Sequence, residues 1–63
     1  MKEYDKVKFV MDKFSAEGVF VGTTGYIIEV YPNGNYEVEV SKKETGETIA
    51  QVVASSNEIE VVE

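Results

Sequence analysis

The chemistry open to this chain is carboxylate chemistry. Ten Glu and two Asp stand against six Lys, and the 63 residues include no His, Cys, Arg or Trp. Acid–base and nucleophilic catalysis run mostly through His, Cys or a Ser activated by a neighbouring base. The Ser-His-Asp and Cys-His constellations are therefore excluded. A glycosidase-like carboxylate pair is the one formal enzymatic option, and so short a chain has little room for the deep, water-excluding cleft such a pair needs. Zinc and iron–sulfur sites fail for want of imidazole and thiolate ligands. The run Asn33-Gly34-Asn35-Tyr36-Glu37 is far too short for a calcium loop and reads as a turn. Gly18, Gly22 and Gly25 fit no phosphate-loop pattern and read as relief of backbone strain in a loop. The expectation is a protein that is not an enzyme and holds no cofactor and no metal.

What positions these residues must be a single small domain spanning 1–63. A chain of this length buries only about 60% of the surface its unfolded form exposes, and no disulfide is available to staple it. Its composition is 43% hydrophobic with a net charge of -6, too apolar for a disordered segment. No apolar run approaches the roughly 20 residues of a membrane span, and no signal-peptide core follows Met1-Lys2-Glu3-Tyr4, so the expected compartment is the cytoplasm.

Turn chemistry sets the strand register. In Tyr31-Pro32-Asn33-Gly34, Pro presets the first central position of a type I turn, Asn suits the second, and Gly accepts the left-handed conformation that follows. A three-residue loop makes Tyr31 face Asn35, so Val30 opposes Tyr36, Glu29 opposes Glu37, Ile28 opposes Val38 and Ile27 opposes Glu39. One face then collects Tyr26, Ile28, Val30, Tyr36, Val38 and Val40 as core. The same chemistry at Lys43-Glu44-Thr45-Gly46 sets Lys43 against Glu47, and the count pairs Val40 with Ala50, Val38 with Val52 and Tyr36 with Ala54. Both hairpins turn the same middle-strand residues inward. Strands are expected over 24–31, 35–42, 47–54 and 57–62, the last with Ile59 and Val61 inward after a tight turn at Ser55-Ser56-Asn57. The first seventeen residues allow a strand with Val7, Phe9 and Met11 inward, or a helix with Tyr4, Val7, Met11 and Phe14 on one face and Gly18 as its stop. Phe9, buried only in the strand, favours the strand. The expected fold is all-β, a small five-stranded SH3-like barrel, with an open antiparallel sheet carrying an N-terminal helix as the alternative.

Tyr4-Asp5-x-Val7, a loop closed by Gly18-x-x-x-Gly22-x-x-Gly25, the run Tyr36-Glu37-Val38-Glu39-Val40, and Gly46-Glu47-Thr48 together resemble a family of small bacterial domains of unknown function with an SH3-like barrel. The resemblance covers nearly the whole chain and rests on short motifs of common turn and strand residues. It implies a partner of secreted or contact-delivered toxins, that is, an immunity role; it carries over no functional residue. Gly25-x-Ile27 also resembles the KOW motif of SH3-like barrels in ribosomal and transcription proteins, which implies two alternatives to the immunity role: an SH3-like assembly module of a larger complex, and a KOW-like RNA-binding domain, which the net charge of -6 disfavours. The chain departs from the pattern in carrying Phe20 and Val21 where charged or polar loop residues are expected, and Thr24 where an aliphatic is usual. Phe20 and Val21 thus read either as barrel-closing contacts or as contact residues for a partner.

By the same register, the outward sheet face holds Ile27, Glu29, Tyr31, Glu37, Glu39, Ile49, Gln51 and Val53. Glu29 opposes Glu37, and like charges directly opposite each other destabilise a strand pair by up to ~1 kcal/mol. Apolar residues beside an acidic cluster suit a basic protein partner, a toxin or nuclease, with anchors for affinity and charge for steering. The structural alternative is that the second strand bends, making Ile27 core, and that the glutamates deter edge pairing. Lys42 and Lys43, with Lys6 and Lys8, are the only positive clusters and read as solvated surface or local ion pairs. Tyr4, Tyr26, Tyr31 and Tyr36 have the type of residue that stacks bases, but Tyr26 and Tyr36 are assigned inward. Six Lys against twelve carboxylates give the wrong field for a phosphate backbone, so no nucleic acid is expected as a partner, and no membrane.

Overall fold

The computed structural model describes residues 1–62 and is all-β. Its elements are β1 (Lys6–Phe9), a 3₁₀ turn (Ser15–Glu17), β2 (Thr24–Val30), β3 (Asn35–Ser41), β4 (Thr48–Ser55) and β5 (Ile59–Val61). All pair antiparallel in one sheet of order β4-β3-β2-β1-β5. The strand reading of the N-terminus holds, with Val7 and Phe9 buried; Met11 lies beyond the strand and is exposed. No helix among the described residues is long and apolar enough to cross a membrane.

The sheet curls, for a geometric reason. In a flat sheet β4 and β5 would stand four strand spacings apart, about 19 Å. The chain from Ser55 to Ile59 spans at most about 14 Å fully extended, and it is shorter still because the Glu58 N–H donates to the Ser55 carbonyl at 3.0 Å. The two edges are thus drawn together at this corner. The sheet is not closed into the expected barrel: among the described residues β4 and β5 form no ladder with each other, and only the turn at 55–58 links the two edges. Inside the curl, Val7, Phe9, Val19, Ile27, Val38, Val40, Val52, Ala54 and Ile59 form one core. Phe14, from the loop, packs its ring edge-on to Phe9 at 5.7 Å.

Turn chemistry translates directly into geometry at the first hairpin. Gly34 takes φ +88°, and Tyr31 N–H donates to Asn35 O at 2.9 Å. The β3–β4 register also matches the sequence count, with Val40↔Ala50, Val38↔Val52 and Tyr36↔Ala54.

Two bulges correct the rest. Val30↔Tyr36 and Glu29↔Glu37 pair as expected, but Ile28 is an extra residue, so Ile27 faces Val38 and Tyr26 faces Glu39. An extra residue reverses the parity of everything before it. Ile27 is consequently fully buried, while Tyr26, expected inward, is 49% exposed. Ile28 is half-buried, and Val30, near the strand end, is exposed although its side of the sheet is inward. A second bulge at Ile49 pairs Ser41 with Thr48. It makes Lys42, not Lys43, the residue opposite Glu47: Lys42 N–H donates to Glu47 O at 2.8 Å, and the side-chain charges lie 3.9 Å apart. Val61, expected inward, is exposed because the three-residue β5 ends there. Gly25 is not a strained loop glycine. It is buried in β2, where an added Cβ would stand 2.6 Å from the Glu39 carbonyl oxygen.

Candidate functional site

The outer face of β2, β3 and β4 is built from cross-strand rows. One row runs Glu29–Glu37–Val53 and the next Tyr26–Glu39–Gln51. Strand alternation points these side chains away from the core formed by Ile27, Val38 and Val52 between them. Tyr31, at the hairpin end, reaches back along this face and its hydroxyl donates to Glu37 Oε1. Gln51 Nε2 donates to the other oxygen, Glu37 Oε2, at 3.1 Å. The Glu37 carboxylate is thus held by two neutral donors. Thr48 Oγ1 approaches Glu39 Oε2 at 3.4 Å.

The electrostatics are one-sided. The lysine ion pairs among the described residues go to Asp5, Glu60, Glu58 and Glu47, and none reaches Glu29, Glu37 or Glu39. The hydrogen bond to Glu37 holds the Tyr31 phenol above its ordinary pKa, with partial burial and the negative charges of Glu37 and Glu29 acting in the same direction. Beside the carboxylates, Val53 and Tyr26 are each about half exposed, at 47% and 49%. Such a face has acceptors, negative charge and apolar surface. Among the described residues no group of His, Cys, Asp or Glu is placed to hold a metal ion.

Of the residues expected on this face, Glu29, Tyr31, Glu37, Glu39, Gln51 and Val53 are brought together. Ile27 leaves it for the core. Ile49 is unpaired at its bulge and stays 44% exposed; its Cγ2 lies 3.9 Å from where a Cβ on Gly18 would stand, and the side chain beside Glu39 is that of Thr48. Tyr26 is the residue that sequence reasoning missed. Phe20 and Val21 lie apart in a turn closed by the Thr23 N–H to Phe20 O bond of 2.9 Å. They are 56% and 62% exposed, while the adjacent Val19 is fully buried, so the closing contact is made by Val19.

Residues 3–61 match the family described as Domain of unknown function (DUF4926). The chain belongs to the DUF4926 family. The match covers the five strands and the whole outer face, so the rows described above lie within the DUF4926 domain itself. No curated protein and no solved structure matches the chain.

Proposed function

We propose that this DUF4926 domain is a non-enzymatic protein-binding module, an immunity protein that binds and neutralises a bacterial toxin through its acidic outer face. The observation that carries the reading is the Glu29–Glu37 cross-strand pair, flanked by half-exposed apolar side chains and approached by no lysine among the described residues. Like charges left facing each other raise the energy of the free protein. A basic partner relieves that repulsion on binding and is steered toward the site by the same charges. Tyr26, Tyr31 and Val53 supply the apolar contact that charge alone lacks. The partner is a basic protein, such as a nuclease whose substrate surface carries the complementary field.

The test is coexpression with the adjacent reading frame in a host that the frame's product poisons. Rescue of growth by the wild type, and its loss in Glu29→Gln/Glu37→Gln/Glu39→Gln, supports the reading. Rescue that survives the triple substitution contradicts it.

A second reading, an assembly module of a larger complex, draws on the exposed Phe20 and Val21 at the loop tip. It predicts that Phe20→Ser, and not the triple Glu variant, abolishes partner capture.

A further inference from the structure

The lysines are distributed unevenly. Lys2, Lys8 and Lys13 are each paired with a carboxylate, and Lys42 lies 3.9 Å from Glu47. Lys6 and Lys43 have no carboxylate within 4.0 Å among the described residues. Both line the same cavity, of about 260 Å³, which they share with Lys42, Thr24, Ser41 and Tyr26. The convergence comes from three separate parts of the chain. Lys6 is the β1 partner of Tyr26, Ser41 ends β3, and the β3–β4 connection brings Lys42 and Lys43. An acidic protein with six Lys has gathered half of them around one cleft.

We propose that this cleft is an anion site for a small phosphomonoester carrying a flat ring, the chemistry of a mononucleotide. Ammonium groups act as compact point charges that bind phosphate oxygens without needing a planar fork, and lysine is the only basic residue type this chain has. A phosphomonoester brings about 1.5 to 2 negative charges at neutral pH. Lys6 and Lys43 match that charge even if Glu47 neutralises Lys42, and the Thr24 and Ser41 hydroxyls add donors. The half-exposed Tyr26 ring offers a stacking surface for a base. The volume is below the roughly 300 Å³ at which pockets for drug-sized ligands begin, so it takes a phosphate and part of a ring.

The surroundings decide against a polynucleotide. Beyond Tyr26 the next residue across the sheet is Glu39, with Glu37 and Glu29 in the adjoining row, so a second and third phosphate would run into carboxylates. A neutral ring edge with hydrogen-bond donors is what that side accepts. The cleft and the acidic face thus share Tyr26 but differ in the charge they select, and this proposal does not depend on the toxin-binding reading.

The experiment is a titration of the intact protein with AMP, inorganic phosphate and adenosine, followed by the amide resonances of Thr24, Tyr26 and Ser41. AMP is expected to shift them saturably at millimolar concentrations, phosphate more weakly, and adenosine not at all. Lys6→Gln and Lys43→Gln, on different elements, should each weaken AMP binding roughly tenfold, as loss of one charge-assisted contact implies. Lys13→Gln, whose ammonium is held by Glu58 away from the cleft, should leave it unchanged. Resonances unmoved by AMP, or AMP affinity unchanged in both cleft variants, would overturn the proposal. So would an oligonucleotide that binds more tightly than AMP.

Discussion

Glu58 and Glu37 are the same residue type put to opposite uses. Glu58, at the β4–β5 corner, is only 8% exposed. Its Oε2 accepts from the Lys13 ammonium at 2.9 Å and its Oε1 from the Ser55 N–H at 2.9 Å. Glu37, on the outer sheet face, accepts from a phenol and an amide and stands opposite Glu29. One carboxylate has its charge answered within the fold. The other has hydrogen bonds but, among the described residues, no cation within 4.0 Å. Exposure to water alone does not separate them, since Glu37 is itself half-buried; the sign of the neighbours does.

The β2 bulge adds Tyr26 to the face that carries Glu37, and the largest effect probes it. Ile27→Ala should lower unfolding free energy by about 2–5 kcal/mol in denaturant titrations, as a core deletion does. Tyr26→Ala should change it far less. Equal effects at the two positions would place the bulge elsewhere.

Removing Glu58 probes the structural side. Glu58→Ala leaves the Ser55 N–H and the Lys13 ammonium without their partner and should remove about 1–3 kcal/mol. The pH dependence has a definite sign. The Lys13 hydrogen bond, with the Ser55 N–H, holds the Glu58 carboxyl below its ordinary pKa in the folded state. Its contribution is therefore fully present above the unfolded glutamate value and is lost as pH falls through the lower folded one. Glu58→Gln should flatten that acid limb of the stability curve, and a limb that keeps its slope would remove Glu58 from the account.

Relieving the outer face should act in the opposite direction. Glu29→Gln takes away the charge facing Glu37 and should raise stability by roughly 0.2–1 kcal/mol, measured at low salt where the repulsion is least screened. The smallest effect is spectroscopic. One of the four tyrosines should ionise at higher pH than a free phenol, and Glu37→Gln should bring it down, because the hydrogen bond to Glu37 is the main cause of the Tyr31 shift.

How far the sequence reveals this site follows from where the chain keeps strict alternation. Between Tyr36 and Val40 every second residue is apolar and the intervening ones are Glu, so only one parity buries the apolar set, and the β3–β4 pairing is readable residue by residue. Around Ile27 and Ile28 that constraint vanishes. Both residues are apolar, either parity offers an isoleucine to the core, and the bulge carries no turn residue to announce it. The physical preference is set instead by the segment leading into β1, where Ile27 N–H donates to Asp5 O at 3.0 Å and Tyr4 N–H donates to Ile27 O. Those contacts join positions far apart in the chain. The nearest sequence signal was Gly25, whose missing side chain admits the β3 backbone, but the glycine does not say which residue is doubled. The bulge at Ile49 escaped for the same reason, and Lys42 and Lys43 exchanged places as a result. The acidic half of the face is legible because Glu37 and Glu39 lie on the well-registered β3 and Glu29 lies between the bulge and the first hairpin turn; its aromatic member, on the far side of the bulge, is not.

The claim that the outer face is completed by a basic partner is tested most directly by association kinetics. Stopped-flow mixing of the protein with the product of the adjacent reading frame, from about 50 to about 500 mM salt, spans weak to strong screening. The account predicts an association rate that falls steeply with salt, and that is slower and nearly salt-independent for Glu29→Gln/Glu37→Gln/Glu39→Gln. A wild-type rate that stays flat across that range, or a triple variant that associates as fast as the wild type at low salt, would contradict it.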